Sequence, residues 1–484
     1  MLADSNGLDP ASGNPVAANG SRNYDVIIVG GGFAGISAAR ELSRAGYRTV
    51  ILEARGQLGG RARSRKVLGT DVEMSLGGAY LRSSEAGAIA AGIRPHYAES
   101  WREVSRYGLG LHPTQPASTR VTLIGGQRLQ GTLPLPSEEW PALESIAYAM
   151  SSALRGVDPS APIDQQIGRG IDLSWADFLE PLDLPPLTAD YVCTYARVMG
   201  QKDVTDFSIG IMAHQIMSFG NSILRRSLAP VYEIEGGPRA LYDAIFADST
   251  ADLKLETPVT AIEQSANAVH VTTPDGGFTG RVCVVATPVT QWNRIVFDTP
   301  LSREKVEGSS MNLLNPANKI FALVKDAPIN AAGFGNPEQS RGFVYTLPGK
   351  RVGEAQILMG MTYGGRVDAT DREDVQRAFQ AYFPGCEVLA VDSHDWNTDE
   401  FSQGAWIAPP PGYLSTYATS MRAPEGRLVF ATGDISRHNL SSIAGAIESG
   451  TDAATFADAI LEQGPTSTLQ EPVGAAGTGR TSND

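Results

Sequence analysis

Residues 24–64 read YDVIIVGGGFAGISAARELSRAGYRTVILEARGQLGGRARS and decide the fold. YDVIIVG is a β-branched apolar run, typical of a strand buried on both faces of a parallel sheet. The helical pattern AGISAARELSRAG follows it, and Gly46 is the expected C-cap. Between them, Gly30, Gly32 and Gly35 form GxGxxG. Such glycines allow a tight turn, let the backbone approach a pyrophosphate and let the helix pack closely on the strand.

A second strand pattern lies within YRTVILEA and ends on Glu53. An acid about 20 residues beyond the glycines is placed to meet the ribose of an adenosine. Strand, glycines, helix, strand and acid together predict a dinucleotide-binding domain whose helix N-terminus faces the phosphates. The motif by itself does not separate NAD from FAD.

Composition excludes several other classes of protein. The net charge is -14, from 39 basic and 53 acidic residues, which opposes a nucleic-acid role because phosphate binding needs a concentrated basic face. The three cysteines form no CxxC pair, so we expect reduced thiols, a cytoplasmic location and neither a disulfide framework nor a metal site. No run of about 18 apolar residues is present, so we expect no membrane anchor.

The segment after Glu53, EARGQLGGRARS, is informative about the cofactor. It resembles the RxGGR extension of the flavin amine oxidase family, which includes monoamine oxidases and bacterial nicotine-type amine oxidases. The resemblance implies FAD, bound through Glu53, Ala54, Arg55, Gly60 and Arg61. Physically, paired glycines open the backbone, and Arg61 offers a forked cation to a pyrophosphate.

Further segments resemble the family in the same chain order. LGGAYL resembles the segment beneath the isoalloxazine ring, and GRLVFATGDISRHNLSSIAGAIESG resembles the C-terminal signature. There Asp434 is expected near the ribityl or phosphate groups, and the helix starting near Ile443 is expected to point its positive N-terminus at the flavin pyrimidine. The resemblance implies these further cofactor contacts: Gly77, Gly78, Ala79, Val259, Gly433, Asp434 and Ile443.

The implied fold class is α/β, with a Rossmann-like FAD-binding domain of the glutathione reductase and amine oxidase type and an interleaved α+β substrate-binding domain. The FAD-binding domain is expected at 23–80, 231–297 and 425–463. The substrate-binding domain is expected at 81–230 and 298–424, where AESWREVSRYGLG and PALESIAYAMSSALRG have helical periodicity. Residues 1–22 and 464–484 are interpreted as disordered tails. An insertion around 82–93 has no physical interpretation.

Three residues are candidates for the reaction itself. By position, Lys319 matches the family lysine that binds a water at flavin N5, although a lysine at a strand start is often a solvated edge residue. Trp406 matches one wall of the family's aromatic cage, where a flat apolar surface aligns a neutral amine. Ser442 falls at the second wall, where monoamine oxidases have tyrosine, so the cage is half open. Ala405 replaces the cysteine that binds flavin covalently in mammalian monoamine oxidases, so FAD is expected to be non-covalent.

The sequence therefore predicts an FAD-dependent oxidoreductase that oxidises the C–N bond of a secondary, cyclic or aryl-alkyl amine by hydride transfer. The expected partners are a small amine, oxygen or a redox-protein acceptor and, as a further expectation, a second copy in a homodimer. One alternative is dehydrogenation of a C–C bond in a non-amine substrate, which the non-aromatic Ser442 favours. Another is a non-catalytic binding protein of the same fold, which Arg61 and Lys319 oppose.

Overall fold

The structure, a computed structural model, describes residues 23–82, 96–114, 117–158, 161–165 and 170–463. The predicted tails, 1–22 and 464–484, lie outside the described residues. Most of the insertion around 82–93 also lies outside them.

A parallel sheet forms around the opening motif. Among the described residues it has five strands, in the order Asp252–Lys254, Thr49–Leu52, Val26–Val29, Val282–Val285 and Leu428–Phe430. Its three middle strands are buried along their whole length, which explains why their sequences are continuous apolar runs rather than alternating ones.

Two helices pack against each other beside this sheet, Phe33–Arg44 and Ile443–Gln463. Their contact is so close that a Cβ on Gly450 would lie only 2.2 Å from the carbonyl oxygen of Ala34. The first helix ends one residue earlier than the expected cap. Its C-cap is Ala45, and Gly46 follows with φ +87°, a left-handed conformation that glycine adopts without strain.

A second, mixed sheet has seven strands in the described part of the chain, and all but one neighbouring pair are antiparallel. The exception is Thr119–Ile124, which runs parallel to Ala331–Gly335. Asn318–Lys325 is an interior strand, paired on both sides. Lys319 is therefore not the solvated edge residue that its sequence position also allowed. The strand order is Glu387–Asp395, Asn318–Lys325, Ala355–Thr362, Phe343–Val352, Ala331–Gly335, Thr119–Ile124 and Gln127–Gln130.

Smaller sheets and the helices complete the fold. The remaining strands are Ser64–Lys66 with Glu73–Ser75; Tyr80–Arg82, Val231–Ile234 and Leu111–Pro113; and Gly276–Gly280, Val269–Thr273, Ala261–Gln264 and Val296–Phe297. The other α-helices are Ala98–Arg106, Trp140–Ala153, Trp175–Leu179, Pro186–Gly200, Gly210–Met217, Ile223–Leu228, Gly237–Ala247, Arg303–Ser310, Arg372–Tyr382 and Tyr413–Arg422. Short 3-10 helices occur at Gly60–Ala62, Ser137–Glu139, Ile163–Gln165, Glu180–Leu182, Val289–Arg294 and Gly433–Ile435.

The predicted helical stretches are confirmed at Ala98–Arg106 and Trp140–Ala153. The five parallel strands come from the three segments assigned to the FAD-binding domain. However, the proposed boundary between 80 and 81 falls inside the strand Tyr80–Arg82, which pairs with Val231–Ile234. The division into two domains stays a prediction. No helix in the described residues is long and apolar enough to cross a membrane.

Candidate active site

A cavity of about 1720 Å³ lies where the carboxyl ends of the parallel strands meet the faces of the seven-stranded and three-stranded sheets. Crevices at the carboxyl ends of such strands are the usual ligand sites of open α/β sheets. All of the predicted site residues line this cavity except Gly35 and Asp434. The structure thus brings together Lys319, Trp406, Ser442, Gly30, Gly32, Glu53, Ala54, Arg55, Gly60, Arg61, Gly77, Gly78, Ala79, Val259, Gly433 and Ile443.

The cavity has two ends with different walls. The glycine end consists of Gly30, Gly32, Glu53, Gly60 and Arg61. The tyrosine end consists of Tyr80, Tyr191, Tyr195 and Tyr345.

At the glycine end, two backbone loops approach each other where no side chain fits. A Cβ on Gly60 would lie 3.3 Å from the Cα of Gly32. Gly30 has φ +107°, and a Cβ there would lie 2.8 Å from the carbonyl oxygen of Ala286. Gly32 is also the N-cap of the first helix and provides no side-chain hydrogen bond to it. The bare helix N-terminus between two glycine loops fits a pyrophosphate, whose oxygens accept from backbone N–H groups.

Gly35 has the packing role that the motif predicts. A Cβ on it would lie 2.0 Å from the carbonyl oxygen of Gly30, so only glycine lets the helix start directly against the strand.

Glu53 faces the cavity and also stabilises the glycine loop by hydrogen bonds. Its Oε2 accepts from the Gly31 N–H at 2.7 Å, and its Oε1 accepts from the Arg55 N–H at 2.8 Å. Burial raises the pKa of Glu53, against the opposing effect of these two backbone donors. The carboxylate therefore fixes the two loop backbones relative to each other. Its remaining lone pairs leave room for a ribose hydroxyl.

Arg61 and Asp434 form a buried ion pair at the edge of the cavity. The Arg61 Nη2 donates to Asp434 Oδ2 at 2.7 Å, and its Nη1 donates to the carbonyl oxygen of Ala405 at 2.7 Å. Asp434 also accepts from Ser441 Oγ at 3.2 Å. The Asp434 carboxylate thus lies behind Arg61, while its neighbour Gly433 lines the cavity. Its contact with the flavin stays a prediction, and its observed contacts orient Arg61.

Arg55 has a partner that sequence reasoning missed, Asp399. This carboxylate also accepts from Arg63 Nη2 at 3.0 Å and lies 3.2 Å from His394 Nε2. Burial alone would raise the pKa of Asp399, but the His394 hydrogen bond and the two guanidinium groups hold it well below its usual range. Since Arg55 and Asp399 are far apart in the chain, no local pattern pointed to this pair.

Lys319 also lines the cavity. Its Nζ donates to the carbonyl oxygen of Gly77 at 2.5 Å, and burial lowers the pKa of Lys319 to about 8. Gly77 is itself tightly enclosed, because a Cβ there would lie 1.8 Å from the carbonyl oxygen of Arg61. The neighbouring Gly78 faces Ile443, whose side chain would contact a Cβ there at 3.5 Å. An ammonium has three donors, and within the described residues one of them is used, so two remain for water or ligand.

Trp406 and Ser442 both line the cavity, but their polar atoms are directed to the protein. The Trp406 Nε1 donates to the carbonyl oxygen of Met199 at 2.7 Å, which fixes the plane of the indole. The Ser442 Oγ accepts from the Gly445 N–H at 3.0 Å and donates to the carbonyl oxygen of Asn439 at 2.6 Å. Ser442 is thus an N-cap of the last helix. Its small side chain leaves open the space that a larger side chain, such as tyrosine, would fill.

Sequence reasoning missed the tyrosine end entirely. Further cavity residues there are Arg82, Arg120, Glu233 and Phe334. They come from strands that alternate between cavity and core, and the face of each strand depends on pairings between distant segments. In the sequence, only the alternation of each strand could have indicated these residues. Alternation does not show which residues of different strands lie together in the cavity.

Comparison of the chain with known proteins supports the same type of site. Residues 33–456 match the family described as flavin containing amine oxidoreductase. The chain belongs to this family.

Its relatives include an (S)-6-hydroxynicotine oxidase of Paenarthrobacter nicotinovorans, 31% identical over 88% of this chain and 97% of the relative. A nicotine dehydrogenase of Pseudomonas putida is 31% identical over 90% of this chain and 88% of the relative. Among solved structures, putrescine oxidase bound to putrescine matches with TM-score 0.75 and 19% identity, covering 90% of this chain and 99% of that one. Cyclohexylamine oxidase from Brevibacterium oxydans matches with TM-score 0.73 and 19% identity, covering 91% and 100%. The two structures show the fold alone.

The predictions of fold class, cofactor and reaction are confirmed at this level. The chain has the fold of these amine oxidases, and it is an FAD-dependent enzyme that oxidises the C–N bond of small-molecule amines. The site fits the cofactor, because the Gly32 and Gly60 cradle would be filled by a Cβ and Arg61 supplies a cation beside it.

Proposed function

We propose that this enzyme oxidises a secondary or cyclic amine that carries an aromatic or other bulky substituent. The observation that supports this most directly is the tyrosine end, where a row of aromatic side chains faces the same cavity as Lys319 and Trp406. Ser442 is small and engaged as a helix cap, so it leaves room beside the indole. The names of the relatives, a hydroxynicotine oxidase and a nicotine dehydrogenase, support the same class of cyclic amine.

Bound FAD supplies the hydride acceptor, and the chain supplies position and electrostatics. The residues proposed to hold it are Gly30, Gly32, Glu53, Gly60 and Arg61, with the other predicted cofactor contacts of the cavity. Ala405 has no nucleophilic atom in its side chain, which supports non-covalent binding. The indole of Trp406, held by Met199, offers a flat apolar wall for the amine substituent.

Lys319 is proposed to act through charge and hydrogen bonding. With its pKa at about 8, it is mostly an ammonium at neutral pH. A cation in the cavity disfavours a second cation nearby, so a substrate amine binds there more readily in its neutral form. Only the neutral amine has the lone pair that assists loss of hydride from the adjacent carbon. The two free Nζ donors are also proposed to hold a water.

The acceptor that reoxidises the enzyme is proposed to be oxygen or a redox protein, and the enzyme is proposed to form a homodimer. A cytoplasmic location is supported by the thiols of Cys193, Cys283 and Cys386, which are all free.

Anaerobic reduction of the bound flavin tests the substrate class. Purified enzyme with FAD is mixed with secondary and cyclic aryl-substituted amines, with short linear primary amines and, as controls, with alkenes and cyclic ketones. We expect loss of the flavin absorbance with the first group at the lowest concentrations. Preference for short primary amines would overturn the substrate class, and reduction by ketones alone would overturn the amine reaction.

A further inference from the structure

A single row of side chains crosses the seven-stranded sheet under the cavity. Lys319 pairs with Met361, Met361 with Tyr345, Tyr345 with Phe334, and Phe334 with Thr122. All five residues line the cavity. The row crosses the gaps between five neighbouring strands, and at about 4.8 Å for each gap it is roughly 19 Å long. The sheet therefore carries an extended floor from Lys319 to the strand Thr119–Ile124.

Arg120 lies at the far end of this floor. It is two residues from Thr122 on the same face of its strand, is in register with Ala332 and faces the cavity. In the part of the chain that the structure describes, no carboxylate pairs with its guanidinium and no hydrogen bond to it is found. Its five donors thus remain available to a ligand.

Two tyrosines of the tyrosine end lie close enough to interact electrostatically with Arg120. Burial raises the pKa of Tyr345 and of Tyr191, and the Arg120 charge opposes both rises. Both phenols are therefore neutral hydroxyls at physiological pH and able to donate to an anion beside the guanidinium. The Arg82 charge, like the Arg120 charge, lowers the pKa of Tyr345.

The charge balance of this region favours an anion over a cation. Arg82, Arg120 and Lys350 line the cavity here, against the single carboxylate of Glu233 among the described residues of the two sheets that form this region. Arg82 already donates to the carbonyl oxygens of Arg226 and Ala229 at 3.0 and 3.2 Å. Among the described residues, Arg120 and Lys350 are thus the cations of this region without a hydrogen bond or ion pair, and of the two only Arg120 offers the paired donors of a guanidinium.

We propose that Arg120 is a specificity-determining residue that binds an anionic group of the substrate, a carboxylate, at the end remote from the oxidised C–N bond. This rests on the proposed function, because it assigns the amine a second, acidic group. A guanidinium matches a carboxylate with two parallel hydrogen bonds, and the length of the floor suits an extended molecule.

The test compares two ligands that differ only at this group, phenylhexanoate and its carboxamide. Each is titrated into the full-length, FAD-loaded enzyme, and binding is followed by perturbation of the flavin spectrum. A hydrogen bond to a charged group predicts that the carboxylate binds about 10- to 100-fold more tightly than the amide. The Arg120→Met substitution is expected to reduce that ratio to about 1, and Arg120→Lys to leave it intermediate.

Lys350→Met is the matched control, since Lys350 is a second exposed cation of the same cavity without a described ion pair. It is expected to keep the preference for the carboxylate. Equal binding of the two ligands by the wild type, or an unchanged ratio in Arg120→Met with full FAD content, would overturn the proposal. Equal losses in Arg120→Met and Lys350→Met would also overturn it, because they would show general attraction rather than a site. Flavin reduction by amines is a separate measurement, so its failure would remove the proposed function without removing the carboxylate preference.

Discussion

At the glycine end of the cavity the walls are backbone loops and buried ion pairs, whereas at the tyrosine end they are side chains on two sheets and on the helix Pro186–Gly200. A Cβ on Gly60 would lie 3.3 Å from the Cα of Gly32, and Arg61 is held by Asp434 and by a backbone carbonyl. By contrast, no hydrogen bond to the Tyr345 hydroxyl or the Arg120 guanidinium is found within the described residues. The glycine end is therefore rigidly specified, and the tyrosine end is open to change without loss of the fold.

The first test of this contrast is Arg61→Met, for which we expect the largest effect. It leaves the fully buried carboxylate of Asp434 without its cation, which is expected to lower the free energy of unfolding by about 3–5 kcal/mol. Urea denaturation with FAD present measures the change. Arg65→Met is the control, because the Arg65 pair with Asp392 is partly exposed and is expected to contribute about 1 kcal/mol or less. Similar losses in both variants would show that the glycine end is not specially constrained.

Gly32→Val tests the cradle itself. A Cβ on Gly32 would be in ordinary contact, 3.9 Å from the Gly60 Cα, but the methyl groups of valine would occupy space proposed for the pyrophosphate, which is expected to weaken FAD binding by about 10- to 100-fold. Titration of the FAD-free protein with FAD measures the dissociation constant. Gly56→Ala, in the loop after Glu53, is the control, since a Cβ there would also be in ordinary contact, 3.9 Å from the nearest atom, but Gly56 does not line the cavity. An unchanged dissociation constant in Gly32→Val would place the pyrophosphate elsewhere.

The same contrast explains which parts of the fold were predictable. Gly30, Gly32, Gly35 and Glu53 are close in sequence, and Gly30 and Gly35 are required by local geometry, so the motif predicts the parallel strands and the helix between them. The seven-stranded sheet depends instead on pairings such as Thr119–Ile124 with Ala331–Gly335. No local pattern specifies those partners, because register is set by the tertiary fold.

The candidate site divides in the same way. Lys319 and Trp406 could be identified because the family resemblance fixed their places in the chain, and both line the cavity. Asp399 and Arg120 could not be identified from the sequence. Most acids and arginines in strands and loops are solvated surface residues, and nothing in the sequence distinguishes these two from them. Ser442 also lines the cavity, as its predicted place at the cage wall requires, and the structure adds that its hydroxyl caps a helix.

Lys319 lies between the two ends of the cavity. Its titration is expected to change the free energy of unfolding by less than Arg61→Met changes it, and by less than Gly32→Val changes the free energy of FAD binding. Its folded pKa of about 8 is below that of an unfolded lysine, so between pH 8 and about 10 the unfolded state holds more protons and stability rises with pH. Below pH 8 the cost of burying the charge is fully present. The gain is at most about 1.4 kcal/mol per pH unit, and the open cavity makes it smaller.

Lys319→Met removes this titration. We expect the variant to be more stable than the wild type at pH 7, by an amount that shrinks as the pH rises to 10. Urea denaturation at fixed excess FAD, at four pH values, measures the difference, and subtraction cancels Lys202 and Lys305, whose pKa values burial also lowers to about 8. A difference independent of pH would show that Lys319 is well solvated.

Tyr345→Phe is expected to have the smallest effect on stability, and it tests the openness of the tyrosine end. The Tyr345 hydroxyl has no hydrogen bond in the described residues, so its removal should change the free energy of unfolding by less than about 0.5 kcal/mol and leave FAD content intact. Tyr382→Phe is the matched comparison, because the Tyr382 hydroxyl is fully buried and donates to the carbonyl oxygen of Phe343 at 2.5 Å. Losing that bond should cost about 0.5–1.5 kcal/mol. If Tyr345→Phe costs as much as Tyr382→Phe, the tyrosine end is as tightly specified as the core, and its side chains are maintained for the fold rather than for choice of substrate.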